Sequence, residues 1–429
     1  MASTTPLTHR NLLIYQVYVR NHTLEGTFTA LSRDLKRIRA LGTDVLYLLP
    51  VNTIGEKQRK GTRGSPYAIK DYYAINPELG TLEDFRGLIG RAHALGMKVM
   101  IDIVFNHTAP DSALIHSHPH YFYTVEGAFA NRVGDWWDIV DFEYRGNPDL
   151  QEYLIGVLEY YTREGVDGFR FDVASLLPKA FLKHARKRVR AINPASIWLS
   201  ESVHGAFLRD VRNQGFEGLS ESELFEIFDM AYDYDAHPFF ERYLNNEGPL
   251  EDYVFWLNTQ ESIYPSNYVK VRNLENHDFG RIAPMVGGDS ERLRNWHAFN
   301  FFQKGATMIF SGSEASAAHH PDLFEKDTID FSGEDLTPLF KTLHSVTRGR
   351  LFTHGVYSVD KASSDDVIIA KYHYGETWAV GIFNVSKTRS PVRVPLENGT
   401  FTNAITGKEV HVEASCIDAS QSPIIIQSD

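Results

Sequence analysis

Short apolar runs alternate with amphipathic stretches through most of the chain. LLIYQVYV (12–19), VLYLLPV (45–51), KVMIDIVFN (98–106), VDGFRFDV (166–173) and SIWLSES (196–202) have the length and composition of buried strands. LFEIFDM (224–230), YVKVRNLEN (268–276) and TMIFSGS (307–313) are candidates for three more. The segments between them, such as ALSRDLKRIRALG, LEDFRGLIGRAHALG, DLQEYLIGVLEYYTREG and PKAFLKHARKRVRAIN, repeat apolar residues at helical spacing, and several stop at a Gly. Eight strands alternating with helices predict a (β/α)8 barrel. A doubly wound open sheet is the competing arrangement. No Gly-rich phosphate loop follows the first strand, which weakens its nucleotide-binding form.

Two stretches break the alternation. Residues 108–146 are rich in His, aromatics and Asp without a clear period, and they read as an excursion between strand three and its helix. After about Leu351 the period becomes two. VIIAKYHY, TWAVGIFNV, SPVRVPL and SPIIIQ are separated by turn signals such as Asn398-Gly399 and Thr406-Gly407-Lys408. The expected organisation is therefore a barrel over 1–107 and 147–350, an inserted excursion at 108–146, and a C-terminal antiparallel β-sandwich over 351–429. Trp378 lies inside an apolar run and is expected in the core of that sandwich.

Charge and cysteine content narrow the function classes. The net charge is -12, so a polyanion-binding role is disfavoured and no nucleic-acid partner is expected. The basic run Lys183–Arg188 has helical spacing and reads as a solvated helix face. Cys416 is the only cysteine, which excludes an intramolecular disulfide. MASTTPLTHRNLL lacks the basic-then-apolar pattern of a signal peptide. No apolar run approaches ~18 residues. A cytoplasmic protein without a membrane partner is the expectation; oligomeric state is left open.

Polar residues sit where buried strands should have none. Asp102, Asn106 and His107 lie in or at the end of strand three, and Arg170 and Asp172 share one face of strand four. Glu201 ends strand five, and Asn276, His277 and Asp278 end strand seven. In a barrel these ends open into one mouth. Each cluster alone has a bland reading: a structural ion pair, or a loop histidine. Together they bring carboxylates, an arginine and imidazoles to one rim, without thiolates. That set suits glycosyl chemistry, in which one carboxyl protonates the leaving oxygen and another traps the oxocarbenium ion. Arg170 is expected to keep Asp172 ionised, and a more desolvated carboxyl without such a partner to hold the acid's proton.

IDIVFNH, GFRFD, SES and ENHD resemble, in order, the four conserved regions of the α-amylase family of glycoside hydrolases (family thirteen). GSPYAIKDYY resembles the family's tyrosine-bearing stretch after strand two, and SGSEASAAHHPDLFEKDTIDF its loop after strand eight. The resemblance runs from about Tyr15 to Arg350. It implies Asp172 as nucleophile, Glu201 as general acid and then base, and Asp278 as the carboxylate that grips sugar hydroxyls. It implies that Arg170 orients Asp172, that His107 and His277 hydrogen-bond the sugar, and that Tyr67 stacks beneath it. Asp102 and Asn106 are read as bracing residues.

The departures from the family carry information too. Many α-amylases have Lys-His three and four residues after the nucleophile; here Ser175 and Leu176 stand there. The first βα loop, Arg20–Gly26, offers only Glu25 where some relatives have an acidic calcium loop. The expectation is that no metal or other cofactor is required and that calcium, if bound, is dispensable. Asp172-Val173-Ala174 and Glu201-Ser202-Val203-His204 resemble the neopullulanase, cyclomaltodextrinase and oligo-1,6-glucosidase side of the family. The resemblance thus implies a retaining hydrolase of malto- or isomalto-oligosaccharides. The alternatives are a transglycosylase on the same scaffold and, more remotely, an inactive carbohydrate-binding protein.

Overall fold

The computed structural model describes residues 4–132, 136–362, 365–388, 390–418 and 422–428. The first three residues, on which part of the leader reading rests, and residues 133–135 of the excursion lie outside them. Eight parallel strands close a barrel in chain order: β1 (Leu13–Val17), β2 (Val45–Leu48), β3 (Lys98–Ile103), β4 (Gly168–Phe171), β5 (Ile197–Ser200), β6 (Met230–Tyr232), β7 (Lys270–Arg272) and β8 (Ala306–Phe310). β1 pairs with both β2 and β8, which closes the ring.

Alternation along each strand sorts residues into two cores. Ile14, Tyr47, Met100, Leu199, Val271 and Met308 pack together inside the barrel. Their strand neighbours Tyr15, Leu46, Ile101, Phe169, Trp198 and Ile309 face the helical layer. Gly168 is required at the crowded interior, because a Cβ there would lie 2.6 Å from the Ile197 carbonyl.

The helices that cover the barrel start where side chains can satisfy their free N–H groups. Thr27 caps α1 (Phe28–Ala40), and Thr81 with Asp84 forms a capping box at α2 (Leu82–Ala94). α3 (Pro148–Arg163) opens on proline, and α4 (Lys179–Ile192) carries the basic run. Lys183 pairs with Glu226 and Arg188 with Glu152 and Glu159, so much of that run is spent on intramolecular ion pairs.

Strand six departs from expectation. LFEIFDM does not extend as a strand. Ser220 and Glu223 form a capping box on the helical turn Glu221–Leu224, and the strand begins only at Met230. The Ser-x-x-Glu signature preceding Leu224 overrides the apolar run. Asp229 then accepts the Trp198 N–H at 2.9 Å and pairs with Arg186 at 2.5 Å, which fixes where the strand can start.

In the excursion, His107–Thr108 pairs antiparallel with Val140–Asp141, so the chain leaves and re-enters beside itself. The C-terminal region forms an antiparallel sheet of β9 (Val356–Lys361), β10 (Val367–Tyr374), β11 (Thr377–Asn384) and β12 (Ile424–Gln427). One face, through Ile369, Val380, Ile382 and Ile424, packs on Val392, Val412 and Ile417 of the short strand pairs, completing the sandwich. Trp378 is partly buried against that core. The other face meets the barrel helices through Phe383, whose ring lies 5.5 Å from that of Phe302. Gly381 makes room for this contact: a Cβ there would meet Phe383 at 2.5 Å.

Candidate active site

Register places the first pair. Arg170 on β4 stands beside Asp102 on β3, both pointing inward at the C-terminal end of the barrel. The Arg170 Nη1 donates to both Asp102 oxygens, at 2.8 and 3.0 Å, and to Asp172 Oδ1 at 3.0 Å. Its Nη2 lies 2.9 Å from Glu201 Oε2. This differs from the expectation that Arg170 serves Asp172 alone. β4 and β5 are adjacent parallel strands ending at the same level, so one guanidinium reaches both carboxyls.

The backbone also contributes. Val173 follows Asp172 in the left-handed region (φ 37, ψ 46), a costly conformation for a β-branched residue. It turns the Val173 N–H onto Glu201 Oε2 at 2.6 Å.

Asp278 lies across from this pair on the turn after β7. Asn276 Oδ1 accepts the N–H groups of Asp278 and Phe279, at 2.8 and 2.9 Å, and shapes that turn. Tyr234 donates to Asp278 Oδ2 at 3.1 Å, and His277 Nε2 is 3.2 Å from the same oxygen. With Gln16 donating to His277 Nδ1 at 3.1 Å, the imidazole carries its proton on Nε2, facing Asp278 and the Tyr67 hydroxyl 2.6 Å away. The Tyr67 ring stacks on His277, and its hydroxyl donates to Asp102 at 2.9 Å. His107 Nε2 is 4.0 Å from Asp172 Oδ2, and Asn106 lies 3.3 Å from the His107 ring. Asp172, Glu201, Asp278, Tyr67, His107 and His277 thus line one cavity of about 210 Å³, whereas Arg170 and Asp102 reach it only through their partners and Asn106 lines a separate small cavity with Arg132 and Asp141.

Burial dominates the electrostatics. It pushes the Asp172 carboxyl well above its usual range, with the Glu201 charge adding to the rise and Arg170 opposing it. Burial likewise pushes Glu201 up to about 7, against Arg170. The expectation that Arg170 simply keeps Asp172 ionised is therefore incomplete: its one charge is divided among three carboxyls. The adjacent pair retains a proton near neutrality. Burial lowers His107 to about 4 and also lowers His277, so both imidazoles are neutral.

Several participants were not read from sequence. Tyr47 donates to Asp102 at 2.7 Å, and Gln16 orients His277. Gln16 carried a usable signal, since it is a lone amide inside an apolar strand. Tyr234 was obscured because strand six was placed several residues too early. Trp136, whose ring is 5.7 Å from that of His107, lies in the aperiodic excursion.

Residues 15–137 and 135–348 match the family described as alpha amylase, catalytic domain. The chain belongs to the alpha-amylase family. Residues 358–426 match the bacterial alpha amylase C-terminal domain. Among solved structures, an alpha-amylase from Lactobacillus plantarum is 41% identical, with a TM-score of 0.95 over 99% of this chain and 100% of that one. A maltogenic alpha-amylase from Thermotoga neapolitana is 31% identical, with a TM-score of 0.86 over 97% and 98% of the two chains. Neopullulanase 2 from Thermoactinomyces vulgaris is 24% identical over 88% of this chain and 66% of its own length. The chain spans about two thirds or less of the curated relatives it matches.

Some members of the alpha-amylase family hold calcium near the excursion, and the residues here do not fit that ion. Asn106 Nδ2 donates to Asp141 Oδ1, and the Arg132 guanidinium stands among the remaining oxygens. It lies 3.5 Å from Asp141, 3.0 Å from Glu143 and 2.9 Å from the Phe142 carbonyl. Leu176 lines the same small cavity. Among the described residues, no three His, Cys, Asp or Glu side chains converge as metal ligands. Among them, too, no helix is long and apolar enough to cross a membrane.

Proposed function

We propose that the protein is a retaining α-glucan hydrolase of malto- or isomalto-oligosaccharides, working by double displacement. The observation that carries this reading is the placement of Asp172 and Glu201 on one guanidinium, with Asp278 across the cavity and Tyr67 beside it. Asp172 attacks the anomeric carbon while Glu201 gives its proton to the glycosidic oxygen, and the leaving sugar departs. The result is a β-linked glycosyl ester on Asp172. Glu201, now a carboxylate, takes a proton from water as that water attacks the same carbon. The ester breaks, Asp172 is restored and Glu201 regains its proton.

The remaining residues hold the sugar. Tyr67 stacks beneath the pyranose, the neutral His107 and His277 hydrogen-bond its hydroxyls, and Asp278 grips it as the ring distorts. Arg170 orients Asp172, while Asp102 and Asn106 brace the site. Asp102 receives Arg170, Tyr47 and Tyr67, which leaves it little capacity for substrate. No metal or other cofactor enters this scheme. A cytoplasmic location belongs with the same reading, since short glucans are the expected substrate.

Similarity to a maltogenic alpha-amylase and to a neopullulanase supports a short or branched α-glucan. The test is a panel of maltotriose, isomaltose, panose, pullulan, cyclodextrin, sucrose and trehalose, with products resolved over time and with added acceptor sugars. Release of reducing sugar from the malto- or isomalto-substrates is expected. Products longer than the substrate would favour a transglycosylase, and turnover of none would leave a binding protein.

A further inference from the structure

The cavity lining is exposed where the chain leaves Glu201 and closed where Lys60, Asp138 and Phe324 meet. Past Glu201 the chain runs out through Val203 to the exposed His204 and Gly205, and Gly280, two residues after Asp278, is also exposed. Elsewhere in the same lining, with Tyr67 and His107, three loops meet. Lys60 of the loop after β2 pairs with Asp138 of the excursion at 2.9 Å, and Asp138 is only 3% exposed. The same ammonium lies over the Trp137 ring at 4.7 Å and over Phe324, from the loop after β8, at 5.8 Å.

This closure is built in rather than incidental. The Thr62 N–H donates to Glu325 Oε1 at 2.8 Å, and its hydroxyl bonds the other oxygen of that carboxylate. The Arg63 N–H donates to the Phe324 carbonyl at 3.1 Å. Arg20, 1% exposed, reaches from below and donates to the Gly64, Arg63 and Leu323 carbonyls at 3.1, 3.3 and 3.4 Å. A buried guanidinium bonding three carbonyls from two loops fixes those loops to each other.

The direction of the wall follows from the chemistry. The general acid lies toward the leaving group, so the open side beyond Glu201 takes the departing sugar. The side beyond Tyr67 and His107 takes whatever continues from the sugar held on Asp172, the non-reducing part of the chain. We infer that Lys60, Asp138 and Phe324 form the blocked end of the glycone site, so that the protein cuts short glycones from the non-reducing end and cannot straddle the interior of a long glucan. Lys60 is the specificity-determining residue of this wall, since its ammonium ties the excursion to the two barrel loops and faces the terminal sugar. This inference rests on the glycosidase reading above and goes beyond it in assigning exo action.

The experiment compares maltopentaose with maltopentaose carrying a 4,6-O-benzylidene cap on its non-reducing glucose, with an isomalto-oligosaccharide pair alongside, products being sized by mass spectrometry. The uncapped chain should be cut and the capped chain refused, by roughly a hundredfold or more, since a pocket that rejects a single methylene already discriminates ~10–200-fold. In Lys60→Ala with Phe324→Ala, the capped-to-uncapped rate ratio should rise about tenfold. Equal rates on capped and uncapped chains in the wild type would overturn the wall and leave the glycosidase standing. A wild type that refuses the cap, with an unchanged ratio in a folded variant, would overturn the assignment to Lys60 and Phe324. Cleavage of neither uncapped chain would overturn the glycosidase reading itself.

Discussion

One guanidinium joins Asp172 to Glu201: Arg170 Nη1 is 3.0 Å from the first and Nη2 is 2.9 Å from the second. Neighbouring nitrogens of one planar group hold the two carboxyls close. That suits the ~5–5.5 Å separation of retaining glycosidases and not the ~6.5–9.5 Å that admits a water between them. The expected first product is therefore the α-anomer. Proton NMR in the first minutes of hydrolysis checks it, before mutarotation blurs the signal. An early β-anomer would sink double displacement.

The pH profile should carry the mark of Glu201. Burial, with the charges of Asp278 and Asp102 adding to it, raises this acid to about 7. Its first task needs the proton, so activity should fall as pH rises through about 7. Asp278→Asn removes a charge that raises Glu201 and should move the alkaline limb of the residual activity to lower pH. Stability follows the same sign. Between the ordinary glutamate range and about 7 the folded protein binds the extra proton, so stability falls as pH rises through that window. Glu201→Gln should then melt higher than wild type above pH ~7, by an amount that shrinks toward pH ~5. A Glu201→Gln variant that melts lower at both pH values would contradict the raised pKa.

Chelation tests the cations set against the acids of the excursion. Asp111, Asp138 and Asp141 are the acids that could have drawn a metal, and each has a local cation: Lys70 at 3.4 Å, Lys60 at 2.9 Å and Arg132 at 3.5 Å. EDTA should leave both rate and melting temperature unchanged. Burial pushes Asp141 up to about 6, against Arg132, so this guanidinium helps keep it ionised at neutral pH. Arg132→Ala should destabilise the protein, by less than the roughly 3–5 kcal/mol lost on breaking a fully buried pair, because the Arg132 side chain is 20% exposed and water can reach the vacated side. It should also make the protein sensitive to Ca²⁺, because the Asp141 and Glu143 oxygens lose their cation. Loss of wild-type activity in EDTA with recovery in Ca²⁺ would refute this.

The barrel was legible in sequence because its strands are buried on both faces and most of them read as mainly apolar runs. The catalytic clusters were legible for the complementary reason: Asp102, Arg170 and Glu201 interrupt such runs. What failed was local competition. LFEIFDM is as apolar as any strand, but the Ser220–Glu223 capping box takes its start into a helical turn. That error hid Tyr234. The sharing of Arg170 among three carboxyls was equally invisible, because it depends on the register of β4 with β3 and on the relative ends of β4 and β5. The wall around Lys60 joins residues from three separate loops, and no periodicity marks such a junction.

The division of labour among the three carboxylates can be separated by rescue. Asp172→Ala should lose nearly all turnover, because no ester can form. Glu201→Ala should be severe but conditional. An α-glucosyl fluoride departs without a proton, so the ester on Asp172 should still form and then wait for a nucleophile strong enough to need no base. Azide meets that requirement and should yield an α-glycosyl azide. General acid–base help is worth ~10²–10⁴-fold, so rescue should stand clear of the variant's background. Asp278→Asn should not respond, since azide supplies no substitute for a carboxylate that grips the distorted sugar. Its side chain is 39% exposed and touches Tyr234 and His277, so the change removes charge without disturbing a buried core. If azide rescues Asp278→Asn and leaves Glu201→Ala silent, the acid sits on the turn after β7 and not at the end of β5.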